Sequence, residues 1–171
     1  MKDVLSLLRL FNKNLKNVQK KHNKLINFLK NVVKIQQSDM FDSEKYYKIQ
    51  KTINNLGKKT NIVAISKNHP IEDVQEAILK GVNIFGENRV QEARLKFEHI
   101  LKNNTQIKLH LTGPLQTNKV KVALDLFSVF HTLDREKLVN ELLKFPQKLT
   151  NKSFFIQVNT GNEETKSGVK P

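Results

Sequence analysis

Apolar runs rich in β-branched residues alternate with amphipathic segments from Asn61 to the end of the chain. The runs have the length of buried strands, and the segments between them have the apolar spacing of helices. Strands alternating with helices predict βα units, and therefore an α/β fold with a parallel sheet. The predicted strands are 62–66, 82–85, 107–112, 127–131 and 154–158, and the predicted helices are 71–80, 89–102, 116–125 and 134–144.

Two stretches before this alternating part also have helical apolar spacing. In residues 1–40, apolar positions recur with lysines between them, which predicts one or two basic amphipathic helices. Residues 44–56 predict a further helix, with Ser43 as its N-cap. We therefore expect a basic helical extension over residues 1–40 and a folded domain over residues 41–171.

The net charge of +14 is concentrated near the N-terminus. Residues 1–40 hold nine basic and two acidic residues, whereas residues 62–171 hold sixteen and twelve. Because the folded domain is only mildly basic, we expect no DNA partner. The extension is compatible with a membrane surface, a protein partner, RNA, a targeting segment, or packing on the domain by its apolar face.

The absence of cysteine excludes disulfides, thiolate metal sites and a cysteine nucleophile. The five histidines show no metal-ligand spacing, so the sequence predicts no metal site. No apolar run approaches the roughly 18 residues that span a bilayer. No secretory signal is recognisable, and we expect a cytoplasmic protein.

Polar side chains follow the predicted strands, and those of a parallel sheet converge at its carboxyl edge. Lys67 follows the first strand, Asn88 the second and Asn159 the fifth. A lysine held rigidly at a strand end can be partly desolvated, which favours the neutral amine that attacks an aldehyde. The ordinary alternative is a lysine that snorkels into solvent.

Four motifs in this order resemble the pyridoxal 5′-phosphate homeostasis protein family (YggS/PROSC), over roughly residues 44–171. They are VAISK at 63–67, FGENRVQE at 85–92, HLTGPLQTNK at 110–119, and QVNTG at 157–161 followed by KSG at 166–168. The resemblance implies a partial TIM-type (β/α) barrel, similar to the N-terminal domain of alanine racemase, with about five parallel strands.

The resemblance also implies a cofactor and a role. The chain is expected to bind pyridoxal 5′-phosphate (PLP) and to buffer or deliver it, without catalytic turnover. Lys67 matches the lysine that forms the Schiff base with PLP, and Asn88 and Asn159 match residues of the same pocket. For both asparagines, capping of their own loops is an equal alternative. PLP-requiring apo-enzymes are the implied protein partners.

Two departures from the family pattern affect this expectation. Thr112 stands where the family usually has an aliphatic residue, which adds a hydroxyl near the third strand. The sequence stops in the loop after the fifth strand, so we expect a C-terminally truncated barrel without its usual phosphate-binding loops. Such a fragment is expected to bind PLP weakly, to expose apolar edges on strands one and five, and to pair with a complementing C-terminal fragment.

Two other functions are compatible with the sequence. An enzyme of the alanine racemase type would use Lys67 as a base, but the only tyrosines, Tyr46 and Tyr47, stand in no matching motif. A nucleic-acid or membrane-surface binder would act through residues 1–40. We also expect Glu87 and Arg89 to form an exposed ion pair of little energetic value.

Overall fold

The structure is a computed structural model that describes residues 41–57, 60–161 and 163–171. Phe41–Pro171 form one compact unit. The helices predicted for residues 1–40 lie outside the described residues, and the division into two domains stays a prediction. In the part of the chain that the structure describes, no helix is long and apolar enough to cross a membrane.

Strands and helices alternate through the described unit as the apolar pattern predicts. The strands are β1 (Ala64–Ile65), β2 (Ile84–Glu87), β3 (Lys108–Leu111), β4 (Val129–Leu133) and β5 (Ser153–Ile156). The helices are α1 (Ser43–Asn55), α2 (Ile71–Leu79), α3 (Val90–Asn103), α4 (Val120–Leu126), α5 (Glu136–Leu142) and α6 (Pro146–Leu149), with a 3-10 turn at Thr117–Lys119 before α4.

The five strands form one sheet in the order β1-β2-β3-β4-β5, and every neighbouring pair is parallel. The predicted α/β fold is therefore confirmed. The predicted last helix ends early, at Leu142, and a separate short helix begins with Pro146 at its first turn, a position that proline tolerates. The expected cap of the first helix is wrong by one residue, because the carboxylate of Asp42 accepts the Lys45 N–H at 2.9 Å.

One face of the sheet is covered by helices and forms the core. Strand residues Phe85, Leu109 and Phe130 are at most 2% exposed, and they share a cluster with apolar residues of the helices. The ring of Phe85 lies 5.5 Å from that of Phe97 on α3. Burial of each such side chain contributes roughly 1.5–3 kcal/mol, so this face orients the helices relative to the strands.

The opposite face and the two sheet edges expose apolar side chains. A Cβ added at Gly86 would lie 2.6 Å from Ile65 Cδ1 and 3.3 Å from Thr112 Cγ2, so the glycine leaves room for these side chains on that face. Ile65 on β1 is 47% exposed, and Ile156 on β5 is 67% exposed. The predicted apolar edges on the first and fifth strands are present in the described unit.

Candidate functional site

Lys67 lies in a tight turn immediately after β1. The turn spans residues 66–69 and is closed by the His69 N–H, which donates to the Ser66 carbonyl at 3.2 Å. Asn68 has a φ of +63°, and asparagine is one of the residues that adopt this conformation at the third position of such a turn. Ser66 is buried and Lys67 is exposed. The turn therefore presents the lysine to solvent directly after the buried Ser66.

Two side chains of α3 hold the backbone of this turn. The Lys96 ammonium donates to the Ser66 carbonyl at 2.6 Å and to the His69 carbonyl at 3.2 Å. The Glu92 carboxylate accepts the Asn68 N–H at 2.7 Å. This hydrogen bond and, after it, the Lys96 ammonium lower the pKa of Glu92. The residues on both sides of Lys67 are thus fixed to a helix.

A buried charge on β2 completes this arrangement, which we call the Glu87–Lys96 network (Ser66, Glu87, Glu92 and Lys96). Glu87 is 0% exposed, and its Oε1 lies 2.6 Å from Lys96 Nζ and accepts the Ser66 hydroxyl at 2.8 Å. Lys96 also pairs with Glu92 at 3.0 Å. The expected surface pair between Glu87 and Arg89 is therefore wrong, because the Glu87 side chain points into the protein.

Sequence reasoning missed Lys96, although a signal for it exists. Ala93 and Phe97 are buried on α3, and a residue at position 96 shares their helical face. A lysine on the buried face of a helix needs a carboxylate partner. The apolar spacing of α3 could therefore have indicated an internal ion pair.

Asn88 follows β2 and is partly buried beside the end of β3. The Thr112 hydroxyl donates to the Asn88 Oδ1 at 2.8 Å. The side-chain amide nitrogen of Asn88 therefore faces away from Thr112. A Cβ on Gly113 would lie 2.7 Å from the Asn88 Cα, so only glycine allows this close approach of the two loops. The Thr112 hydroxyl thus orients Asn88.

Asn159 is occupied by its own loop. Its side-chain nitrogen donates to the Glu163 carbonyl at 2.8 Å, and its Oδ1 accepts the Glu163 N–H at 3.2 Å. Gly168, at a φ of +131°, packs against the Asn159 backbone. These contacts fit the loop-capping alternative, and a pocket role of Asn159 stays a prediction.

The sheet brings two of the three predicted site residues to adjacent positions. Ile65 on β1 pairs with Gly86 on β2, and Lys67 and Asn88 each follow these paired residues by two positions. Asn159 follows β5, the opposite edge of the sheet, with β3 and β4 between it and β2. The candidate site in the described unit is therefore centred on Lys67, Asn88 and Thr112.

Comparison with known proteins gives a consistent result. The chain is 37% identical over 111 residues to the pyridoxal phosphate homeostasis protein of Pasteurella multocida, which covers 64% of this chain and 48% of the relative. It is 43% identical over 107 residues to the protein of that name from the Buchnera aphidicola of Acyrthosiphon pisum, covering 62% and 53%. No protein-family model matches the chain.

A solved structure extends this similarity to the fold. PipY of Synechococcus elongatus PCC7942, with PLP bound, superposes with a TM-score of 0.63 and 28% identity, covering 75% of this chain and 58% of PipY. Over the aligned residues the chain is similar to the pyridoxal phosphate homeostasis proteins. It spans about half the length of the curated relatives that it matches.

A histidine pair lies further along the sheet. His110 Nδ1 and His131 Nε2 are 3.0 Å apart, and the ring of Phe155 lies 5.1 Å from that of His131. Burial lowers the pKa of His110 from 6.5 to about 4, with smaller contributions from the charges of His131 and Lys108. His110 is therefore neutral at physiological pH and acts as a buried, hydrogen-bonded side chain of the sheet.

This histidine predicts a loss of stability in weak acid. In the unfolded chain His110 takes up a proton near pH 6.5, and in the folded chain near pH 4. The unfolded state binds more protons between these values, so the free energy of unfolding is expected to decrease as pH falls through this range, by up to about 3 kcal/mol. Urea unfolding at several pH values would measure this, and His110→Asn should remove most of the slope. An exposed control, His99→Asn, should keep it; an unchanged slope in His110→Asn would contradict the assignment.

Proposed function

We propose that this chain binds PLP through Lys67 and serves PLP homeostasis as a carrier or buffer. The observation that supports this most directly is the exposed Lys67 on a turn whose flanking residues are fixed by Lys96 and Glu92. The family relationship provides the second support, since the relatives bear the homeostasis name and PipY has been solved with PLP.

The residues at the carboxyl edge fit the chemistry of this cofactor. PLP supplies an aldehyde, which condenses with a lysine amine and releases water. Lys67 provides such an amine in an accessible position. Asn88, oriented by Thr112, provides amide N–H groups for polar atoms of the same ligand. Asn159 would contribute by shaping the loop after β5.

The proposed role is binding without turnover. A racemase would need a second acid–base group opposite Lys67, and the hydroxyl of Tyr47 is engaged by the Lys80 carbonyl at 2.7 Å. Reversible condensation at one lysine is sufficient for storage and release. PLP-requiring apo-enzymes are the proposed recipients, and the apolar edge of β5 supports a complementing C-terminal fragment as a further partner.

Covalent trapping tests this proposal in the unmodified chain. The protein is incubated with PLP, reduced with borohydride and digested, and the modified lysines are identified by mass spectrometry. We expect label at Lys67 well above that at other exposed lysines such as Lys166. Label distributed among lysines in proportion to their exposure would contradict the proposal.

A further inference from the structure

We propose that Glu92 and Lys96 are positioning residues, which hold the 66–69 turn so that Lys67 becomes the preferred PLP-reactive amine. This inference rests on the proposed function, because Glu92 and Lys96 would favour Lys67 over other lysines without touching the cofactor. The Lys67 side chain stands in solvent, while the backbone on both sides of it is held by hydrogen bonds to α3.

The contacts of the turn are distributed on both sides of Lys67. Before it, the Ser66 carbonyl accepts from Lys96, and the Ser66 hydroxyl donates to Glu87. After it, the Asn68 N–H donates to Glu92, and the His69 carbonyl accepts from Lys96. The Cα of Lys67 is therefore fixed by two anchored neighbours, although its side chain remains free to reach a ligand.

These anchors belong to the two rigid elements next to the site. Glu87 ends β2, and Glu92 and Lys96 lie on the first two turns of α3. Since β2 also leads into Asn88, the same elements that fix the turn place the second candidate ligand-binding residue. The network thereby fixes the position of Lys67 relative to Asn88, which favours reaction at this lysine over others.

The hydrogen bonds that Lys96 makes to the turn and to Glu87 are buried and involve charged groups, so they are difficult to replace. A lysine ammonium has three N–H groups, and Nζ of Lys96 has four oxygen partners, at 2.6, 2.6, 3.0 and 3.2 Å. Side chains of Lys96 and Glu87 are only 10% and 0% exposed, so water cannot readily replace these bonds.

The test uses Glu92→Ala, which removes the acceptor of the Asn68 N–H and leaves the Lys96–Glu87 pair in place. The full chain is labelled with PLP and borohydride, and the label at Lys67 is measured relative to Lys166. We expect this ratio to fall about tenfold, as for the loss of one charge-assisted hydrogen bond. Glu92→Gln, which retains an oxygen acceptor, should restore part of it. Hydrogen exchange of the Asn68 amide should accelerate in Glu92→Ala.

Two matched variants separate positioning from general destabilisation. Glu98→Ala makes the same change on α3, at a residue that forms only exposed pairs with Arg94 and Lys102. Leu138→Ala lowers stability in the core on α5, away from the turn. Both should keep the wild-type labelling ratio under conditions where they remain folded.

The results distinguish failure of the positioning role from failure of PLP binding through Lys67. An unchanged labelling ratio in Glu92→Ala overturns the positioning role, and so does an equal fall in Leu138→Ala. A wild-type chain without preference for Lys67 overturns the proposed function. In that case the positioning role is judged by Asn68 amide exchange alone, and it fails if exchange in Glu92→Ala matches that in Glu98→Ala.

Discussion

In a chain carrying Lys96→Met, the free energy of unfolding is expected to fall by about 3–5 kcal/mol. The substitution leaves Glu87 without its cation in a position that is 0% exposed. The Ser66 hydroxyl still donates to Oε1 of Glu87, but Oε2 already has no hydrogen-bond partner among the described residues. Denaturant unfolding of the variant and the wild type measures the difference.

Lys102→Met is the matched control, because it makes the same change on the same helix. Lys102 pairs with Glu98 at 3.3 Å, with exposed fractions of 70% and 44% for the two side chains. An exposed pair of this type contributes about 0.3–0.5 kcal/mol. A double variant, Glu87→Gln with Lys96→Met, removes both charges and should recover part of the loss. If Lys96→Met costs no more than Lys102→Met, the ion pair does not stabilise the site.

The architecture is encoded locally and was therefore predictable from the sequence. Each strand is an apolar run and each long helix has an apolar stripe, and parallel order follows from their alternation. The bounds were less predictable. The first strand was expected over 62–66, but β1 comprises only Ala64–Ile65.

The candidate site was only partly predictable, for a different reason. Lys67 and Asn88 could be found because a strand end is a local feature. The partner of Glu87 could not be found in this way, because Lys96 approaches it through the packing of α3 on the sheet. A glutamate beside an arginine is typical of an exposed loop, whereas Glu87 follows the buried Phe85 by two positions and so shares its face of β2.

The structure supports a ligand-binding role for Asn88 more strongly than for Asn159. Asn88 is oriented by the Thr112 hydroxyl, which donates to its Oδ1. Asn159 makes its hydrogen bonds within its own loop and lies after the far strand of the sheet. In the described sheet, β1 and β5 are the two edges. Side chains that follow neighbouring strands, such as β1 and β2, therefore lie close together, whereas those that follow opposite edges do not.

Lys67→Ala is expected to abolish PLP capture while leaving the fold intact. The variant lacks the amine that condenses with the aldehyde, so retention of PLP should fall at least about tenfold and borohydride should leave no label on the peptide that contains position 67. Because Lys67 is exposed, the free energy of unfolding should change by no more than about 0.5 kcal/mol. Absorbance titration with PLP and denaturant unfolding measure the two quantities.

Lys67→Arg distinguishes nucleophilicity from charge. It keeps a cation in the same turn but has no amine that condenses with an aldehyde, so it should behave like Lys67→Ala in the titration. Lys119→Ala and Lys166→Ala remove lysines of the other motifs and should keep the label at Lys67. If Lys67→Arg retained PLP as well as the wild type, electrostatic attraction would account for the binding. If both Lys67 variants retained the PLP absorbance band, another lysine would carry the cofactor, and the turn after β1 would have only a structural role.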